Sequence, residues 1–137
     1  MTLHLEIITP DRIAFSEEVE MVVVPSSMGT LGILPKHVPL FAELTEGELK
    51  IKKAKDEYYL AIGGGFIEVT QEKVIVLVTR AVHAKELNEA QIVKAKTEAL
   101  EALKAKPTGQ TYHQAQTLLR QSIVDMQILR RRKSRVH

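Results

Sequence analysis

The sequence has no cysteine and no tryptophan, and aromatic residues make up only 4% of it. Without cysteine there is no disulfide, no thiolate metal site and no thiol nucleophile, and a reducing compartment suits the composition. Few aromatics leave little on which nucleic-acid bases could stack. Long apolar runs are missing too. The longest strong one, residues 74–78, falls far short of the roughly 20 residues a membrane-spanning helix needs. Residues 1–6 show no basic segment followed by an apolar one, so no secretory leader is expected and the chain reads as soluble and intracellular.

What is present is material for a core. Hydrophobic residues account for 45% of 137 and charged residues for 26%, enough for one ordinary domain or two small units. The net charge of +2 hides a division: residues 1–84 hold 8 Lys and Arg against 12 Asp and Glu, and residues 85–137 hold 11 against 5. An acidic half is followed by a basic one, and the secondary-structure signals change at the same place.

The first half reads as strands. Leu3, Leu5 and Ile7 alternate with His4 and Glu6 until Pro10-Asp11 breaks the pattern. A β-branched run over residues 19–24 is expected to end at Pro25-Ser26-Ser27. Leu49 and Ile51 alternate with Glu48, Lys50 and Lys52 after the turn Thr45-Glu46-Gly47. Strands over residues 58–62, 66–70 and 73–79 complete the series. Short, closely spaced strands with no helix between them predict a sandwich or barrel and argue against a parallel βαβ sheet.

The second half reads as two helices. Asn88 with Gln91 makes a capping box, and Ile92, Ala95, Ala99, Ala102 and Leu103 form one apolar stripe, with Lys96 intruding on it. Pro107 and Gly109 end that helix. A second box, Thr111 with Gln114, predicts another, with the stripe Ala115, Leu118, Leu119, Ser122, Ile123, Met126 and Leu129. Joined by a short loop, the two make an antiparallel hairpin. Its first stripe is mostly alanine and buries little area, so the hairpin needs a partner surface; two alternative resting places would make it a switch.

No active site is legible. Gly63-Gly64-Gly65 lacks the spacing of a nucleotide loop and leads into a strand, so a turn needing permissive backbone is expected there. His4, His37, His83, His113 and His137 have no metal-ligand spacing, and Ser26 and Ser27 sit in no nucleophile motif. The absence of a catalytic constellation points to binding or coupling, with no metal. The run Arg130-Arg131-Arg132-Lys133, followed by Arg135, has three readings: a helix end suited to the helix dipole, a nucleic-acid patch, or a surface docking on an acidic protein.

One stretch carries a resemblance. Gly29-Thr30-Leu31-Gly32-Ile33-Leu34-Pro35-Lys36-His37-Val38-Pro39-Leu40, followed by Tyr59-Leu60-Ala61-Ile62-Gly63-Gly64-Gly65-Phe66-Ile67-Glu68-Val69, resembles the epsilon subunit of F-type ATP synthase, and the likeness extends over the whole chain. The resemblance implies an antiparallel β-sandwich domain over residues 1–84 and a regulatory helical hairpin over residues 85–137. It implies no catalysis by the chain itself.

The implied partners are the gamma subunit, the c-ring and the alpha/beta catalytic head, at the cytoplasmic face of the inner membrane and peripheral to it. Gly29, Thr30 and Leu31 would face the c-ring, and His37 would lie toward gamma. Some relatives carry an acid where this chain has Thr30. Arg120, Arg130, Arg131, Arg132 and Lys133 are the candidates for an inhibitory contact with an acidic segment of the head. Relatives that bind ATP in the hairpin use Ile/Leu-Asp-x-x-Arg-Ala; here Asn88, Gln91 and Ile92 replace the Asp, Arg and Ala, so no cofactor is expected and ATP binding should be weak or absent. A nucleic-acid-binding module using the basic helix is the alternative.

Overall fold

The computed structural model describes residues 1–134, and residues 133 and 134 by their backbone alone. The chain divides after His83 into a strand unit and a helical unit.

Ten strands make up the first unit: β1 (Leu3–Ile8), β2 (Ile13–Val19), β3 (Met21–Ser26), β4 (Gly29–Ile33), β5 (Leu40–Leu44), β6 (Gly47–Lys53), β7 (Asp56–Ile62), β8 (Gly65–Val69), β9 (Lys73–Val78) and β10 (Ala81–His83). Pairing runs β10-β7-β6-β3-β5-β8-β9-β1-β2, with β4 on the far edge of β3. All pairs are antiparallel except β1 with β9. The result is a sandwich of two five-stranded halves, joined on one side where Ser26 of β3 meets Leu44 of β5.

The alternation in β1 holds: Leu3, Leu5 and Ile7 are buried and their neighbours face outward. Leu5, Ile7, Val22, Leu49, Ile51, Leu60, Ile67 and Val76 are fully enclosed in a single aliphatic core. Each such side chain contributes roughly 2 kcal/mol through the area it withdraws from water.

The expected strand over residues 19–24 is two strands. Val19 closes β2, and β3 begins at Met21. Pro25 does not end β3, which continues to Ser26. On the edge where Pro25 lacks an N–H, β6 pairs only as far as Val23 and β5 takes over at Ser26. Pro25 supplies only its carbonyl there, accepting from the Thr45 amide at 3.0 Å, so no ladder donor is missed.

The second side of the sandwich is closed by β2, which lies across the ends of β10, β7 and β6. His83 Nε2 donates to the Ala14 carbonyl at 2.9 Å, and Arg12 Nη2 to the Ala81 carbonyl at 2.6 Å. Phe15 meets Tyr58 of β7 with ring centroids 6.4 Å apart. The Glu20 amide donates to the Lys52 carbonyl at 2.8 Å, and Lys53 pairs with Glu17, which holds its ammonium above the ordinary lysine range. The turn before β2 is tied by the Thr9 hydroxyl, which donates to Asp11 at 2.8 Å and accepts from the Arg12 amide at 3.2 Å. That bond keeps the Asp11 carboxyl below the usual carboxylate range.

The three glycines at 63–65 connect β7 to β8, and none has a positive φ. For Gly63 and Gly65 the constraint is space, not backbone freedom. A Cβ on Gly65 would stand 1.9 Å from the Leu77 carbonyl oxygen, where β8 presses on β9.

In the helical unit a 3-10 turn (Ala84–Glu86) leads to α1 (Glu89–Lys104) and α2 (Gly109–Ser134). Asn88 caps α1 as expected, its side chain accepting from the Gln91 amide at 3.1 Å. Ile92 and Ala99 are buried, and Lys96 is exposed. The second helix begins at Gly109, so Thr111 stands inside the first turn rather than at the cap. Its expected stripe also shifts. Ala115 and Ser122 are buried, but Ile123 is 41% exposed, while Asp125 and Ile128 take buried places. Straight helices that pack at an angle touch along a path that winds around each, so one fixed stripe does not describe a helix of 26 residues. Ser122 satisfies its hydroxyl by donating to the Leu118 carbonyl at 2.7 Å.

Gly65→Ala should cost about 3 kcal/mol of stability, because the obstacle is backbone that must move. Gly32→Ala, with nothing within 4 Å of its Cβ, should stay within about 0.5 kcal/mol of the parent. Urea midpoints of the two variants check both.

Candidate functional site

Two surface features of the strand unit coincide with the sequence candidates. The first is the tip joining β3 to β4. Ser26 Oγ donates to the Gly29 carbonyl at 2.5 Å and accepts from the Met28 amide at 3.2 Å, while the Ser27 amide donates to Glu43 at 3.0 Å. Gly29 has φ +112°, a conformation that L side chains rarely adopt. The tip is therefore fixed in shape, and it holds Met28 80% exposed, with Thr30 exposed and Leu31 leaning on the core. Sequence reasoning misses Met28, although a methionine between a serine pair and a glycine is a visible signal.

The second feature is the corner at His37. Lys36 adopts φ 66°, and the His37 amide donates to the Leu34 carbonyl at 3.2 Å. His37 Nδ1 donates to the Val38 carbonyl at 2.7 Å, which places the ring proton on that nitrogen. Leu34 and Val38 stand exposed on either side. The corner and the tip are not one site. β4 lies between them, a separation of about 13 Å at 3.3 Å per residue.

A third surface lies outside the sequence candidates. Phe41 of β5 stacks on Phe66 of β8 with centroids 5.4 Å apart and planes 19° from parallel. The register carries the row onward: Phe66 opposes Leu77, Leu77 opposes Ile8, and Ile8 opposes Ile13. Phe41, Phe66, Leu77 and Ile13 are 66%, 46%, 51% and 64% exposed. A row of large apolar side chains on the outer face of a sandwich half is a surface that normally meets a partner. The sequence signal was the unbroken run Val74-Ile75-Val76-Leu77-Val78, where a half-exposed strand would alternate.

On α2, Arg120, Arg130 and Arg131 are exposed and Arg132 is half-buried. Arg120 and Arg131 share a helix face, three turns and about 16 Å apart. Arg130, Arg131 and Arg132 succeed one another at about 100° intervals, so they fan around the helix and do not form one patch. Lys133 lies in the last turn with its side chain outside the described residues, and Arg135 lies outside them altogether. On α1, Asn88 spends its side-chain oxygen on the helix cap. Among the described residues no three His, Asp or Glu side chains are grouped to hold a metal ion.

These features can be set beside known proteins. The family model for the beta-sandwich domain of the ATP synthase delta/epsilon chain matches residues 2–84. The ATP synthase epsilon chain of Dehalococcoides mccartyi is 38% identical over 132 residues, which cover 96% of this chain and 94% of that one. The epsilon chain of Herpetosiphon aurantiacus is 37% identical, covering 98% and 99%. A chain in the cryo-EM structure of Euglena gracilis mitochondrial ATP synthase (OSCP/F1/c-ring) has a TM-score of 0.66 at 19% identity, covering 99% of this chain and 82% of that chain. One in the central stalk and c-ring of Tetrahymena thermophila mitochondrial ATP synthase has a TM-score of 0.53 at 17% identity, covering 63% and 69%.

Proposed function

The chain belongs to the ATP synthase epsilon-chain family, and on that premise we propose that its strand unit is an adaptor at the foot of the rotating central stalk, seated between gamma and the c-ring, while its helices restrain ATP hydrolysis by the catalytic head. The observation that carries the adaptor reading is the exposed row of Phe41, Phe66, Leu77 and Ile13. A sandwich half with that outer face is suited to a large, permanent protein neighbour, and gamma is the neighbour the family supplies. The rigid tip of Met28, Gly29 and Thr30 meets the polar loops of the c-ring without a charge of its own. His37 marks the corner nearer gamma.

The chain does no chemistry itself in this reading; it transmits rotation. No helix among the described residues is long and apolar enough to cross a membrane, and the chain sits peripherally, on the cytoplasmic face of the inner membrane, through its partners.

Inhibition falls to the helices. Arg120 and Arg131, on one face of α2, are placed to approach an acidic segment of the head together, with Arg130, Arg132 and Lys133 adding charge around the helix end. The electrostatic part of such docking weakens with salt and acts mainly on the encounter rate. ATP is not a regulator here. Asn88 is engaged as a helix cap, and Gln91 offers no positive charge to a phosphate.

Three experiments test this. Phe66→Glu should keep its melting temperature within about 2 °C, since the side chain is already exposed, yet lower co-purification of gamma at least tenfold; undiminished retention of gamma would remove this face from the reading. Deleting residues 88–137 should preserve assembly and synthesis and raise ATPase activity of the complex several-fold, whereas unchanged hydrolysis would mean that the helices do not inhibit. Calorimetric titration of the isolated chain with ATP should show no micromolar binding, and a micromolar isotherm would reinstate ATP as a ligand.

A further inference from the structure

We infer that β10 is a releasable strand: it detaches from the sheet to lengthen the tether leading to the helices, and Arg12 and His83 together form the clasp that governs its release. Only three register positions hold β10 to β7: Ala81 with Ile62, Val82 with Ala61, and His83 with Leu60. Of its side chains only Ala81 is buried, and an alanine methyl withdraws little area from water. It stands at the end of the strand order, so no further ladder covers its outer edge.

Two reciprocal side-chain bonds serve that edge instead. Arg12 Nη2 reaches from the turn before β2 to the Ala81 carbonyl, and His83 Nε2 reaches from β10 back to the Ala14 carbonyl. The arrangement leaves β10 held in part by side chains, and the cost of opening it is correspondingly local.

The backbone marks where release would stop. The Gly63 amide donates to the Arg80 carbonyl at 2.9 Å, and the Thr79 amide to the Gly64 carbonyl at 3.0 Å. Thr79 and Arg80 thus stay anchored beside the tightly packed glycine connection when β10 leaves. The strand runs directly into the 3-10 turn at Ala84–Glu86 and then the cap of α1. Freeing Ala81, Val82 and His83 adds three residues to that connection, about 10 Å of reach. A carbonyl only accepts, so His83 donates through Nε2. The inference concerns the chain itself and stands whether or not its helices inhibit an ATPase.

Hydrogen exchange of the full chain, read by mass spectrometry, tests it. In Arg12→Ala/His83→Ala, exchange at residues 81–83 should accelerate at least tenfold, while peptides from β1, β8 and β9 keep their parent rates. His83→Gln, which retains an amide donor, should keep most of the protection. Because the sequence has no native cysteine, spin labels at Lys55→Cys and Glu98→Cys can report the tether, and their distance distribution should reach longer distances in the double variant than in the parent. Equal acceleration in the core strands, up to outright unfolding, would overturn the inference. So would unchanged exchange at residues 81–83, a His83→Gln variant as unprotected as the double variant, or a distance distribution that reaches no further than in the parent.

Discussion

The strand unit depends on a long sheet being folded until the two ends of its main path, β10 and β2, meet. β2 accomplishes this by crossing the ends of β10, β7 and β6, with a different interaction at each: side-chain hydrogen bonds at β10, an aromatic contact at β7, and a backbone bond with an ion pair at β6. The aliphatic core supplies most of the favourable free energy, but it requires walls, and a sandwich without this crossing would let water in along one side. The exposed ion pairs, Lys53 with Glu17, Lys50 with Glu57 and Lys73 with Glu6, fix register more than they add stability.

Much of this was legible in the sequence, and the exceptions share a cause. β1 announces itself because one face is apolar and the other polar. β2 does not, since Ser16, Glu17 and Glu18 are exposed and only Phe15 and Val19 turn inward. Strands that lie across an edge have one working contact per turn of the pattern, too few to establish a period. On α2 the stripe was displaced because Asp125, a residue that pattern reading sends to the surface, is buried beside Ser122 and Ile128. At the glycine connection the sequence suggests a turn needing permissive backbone, but the reason for glycine at Gly65, the approach of the Leu77 carbonyl, lies across the sheet and not along the chain.

The partner surfaces are unevenly legible in the sequence for a related reason. The tip at Gly29 and the corner at His37 became candidates through a resemblance, because nothing in their chemistry singles them out. The Phe41–Phe66 row has a strong physical signature, yet alternation only says that alternate residues share a face; it does not say which face will be covered by another protein. The charge division between the halves shows the same limit. It marks where one unit ends and another begins, whereas the fan of Arg130, Arg131 and Arg132 around a helix shows how little of that charge can bear on one surface at a time.

The parallel pairing of β1 with β9 has a consequence for how the protein is made. β1 is held between β2, its immediate successor, and a strand that begins at Lys73. During synthesis at roughly 5 to 20 residues per second, the edge of β1 that awaits β9 stays unpaired for several seconds. So do Leu5 and Ile7, whose cover comes from strands not yet made. Such a topology folds slowly, because its defining contact spans nearly the entire unit. The nascent chain is thus most exposed to misassociation in the interval before residue 78 leaves the ribosome, and its best protection in that interval is a chaperone or a slow start to collapse.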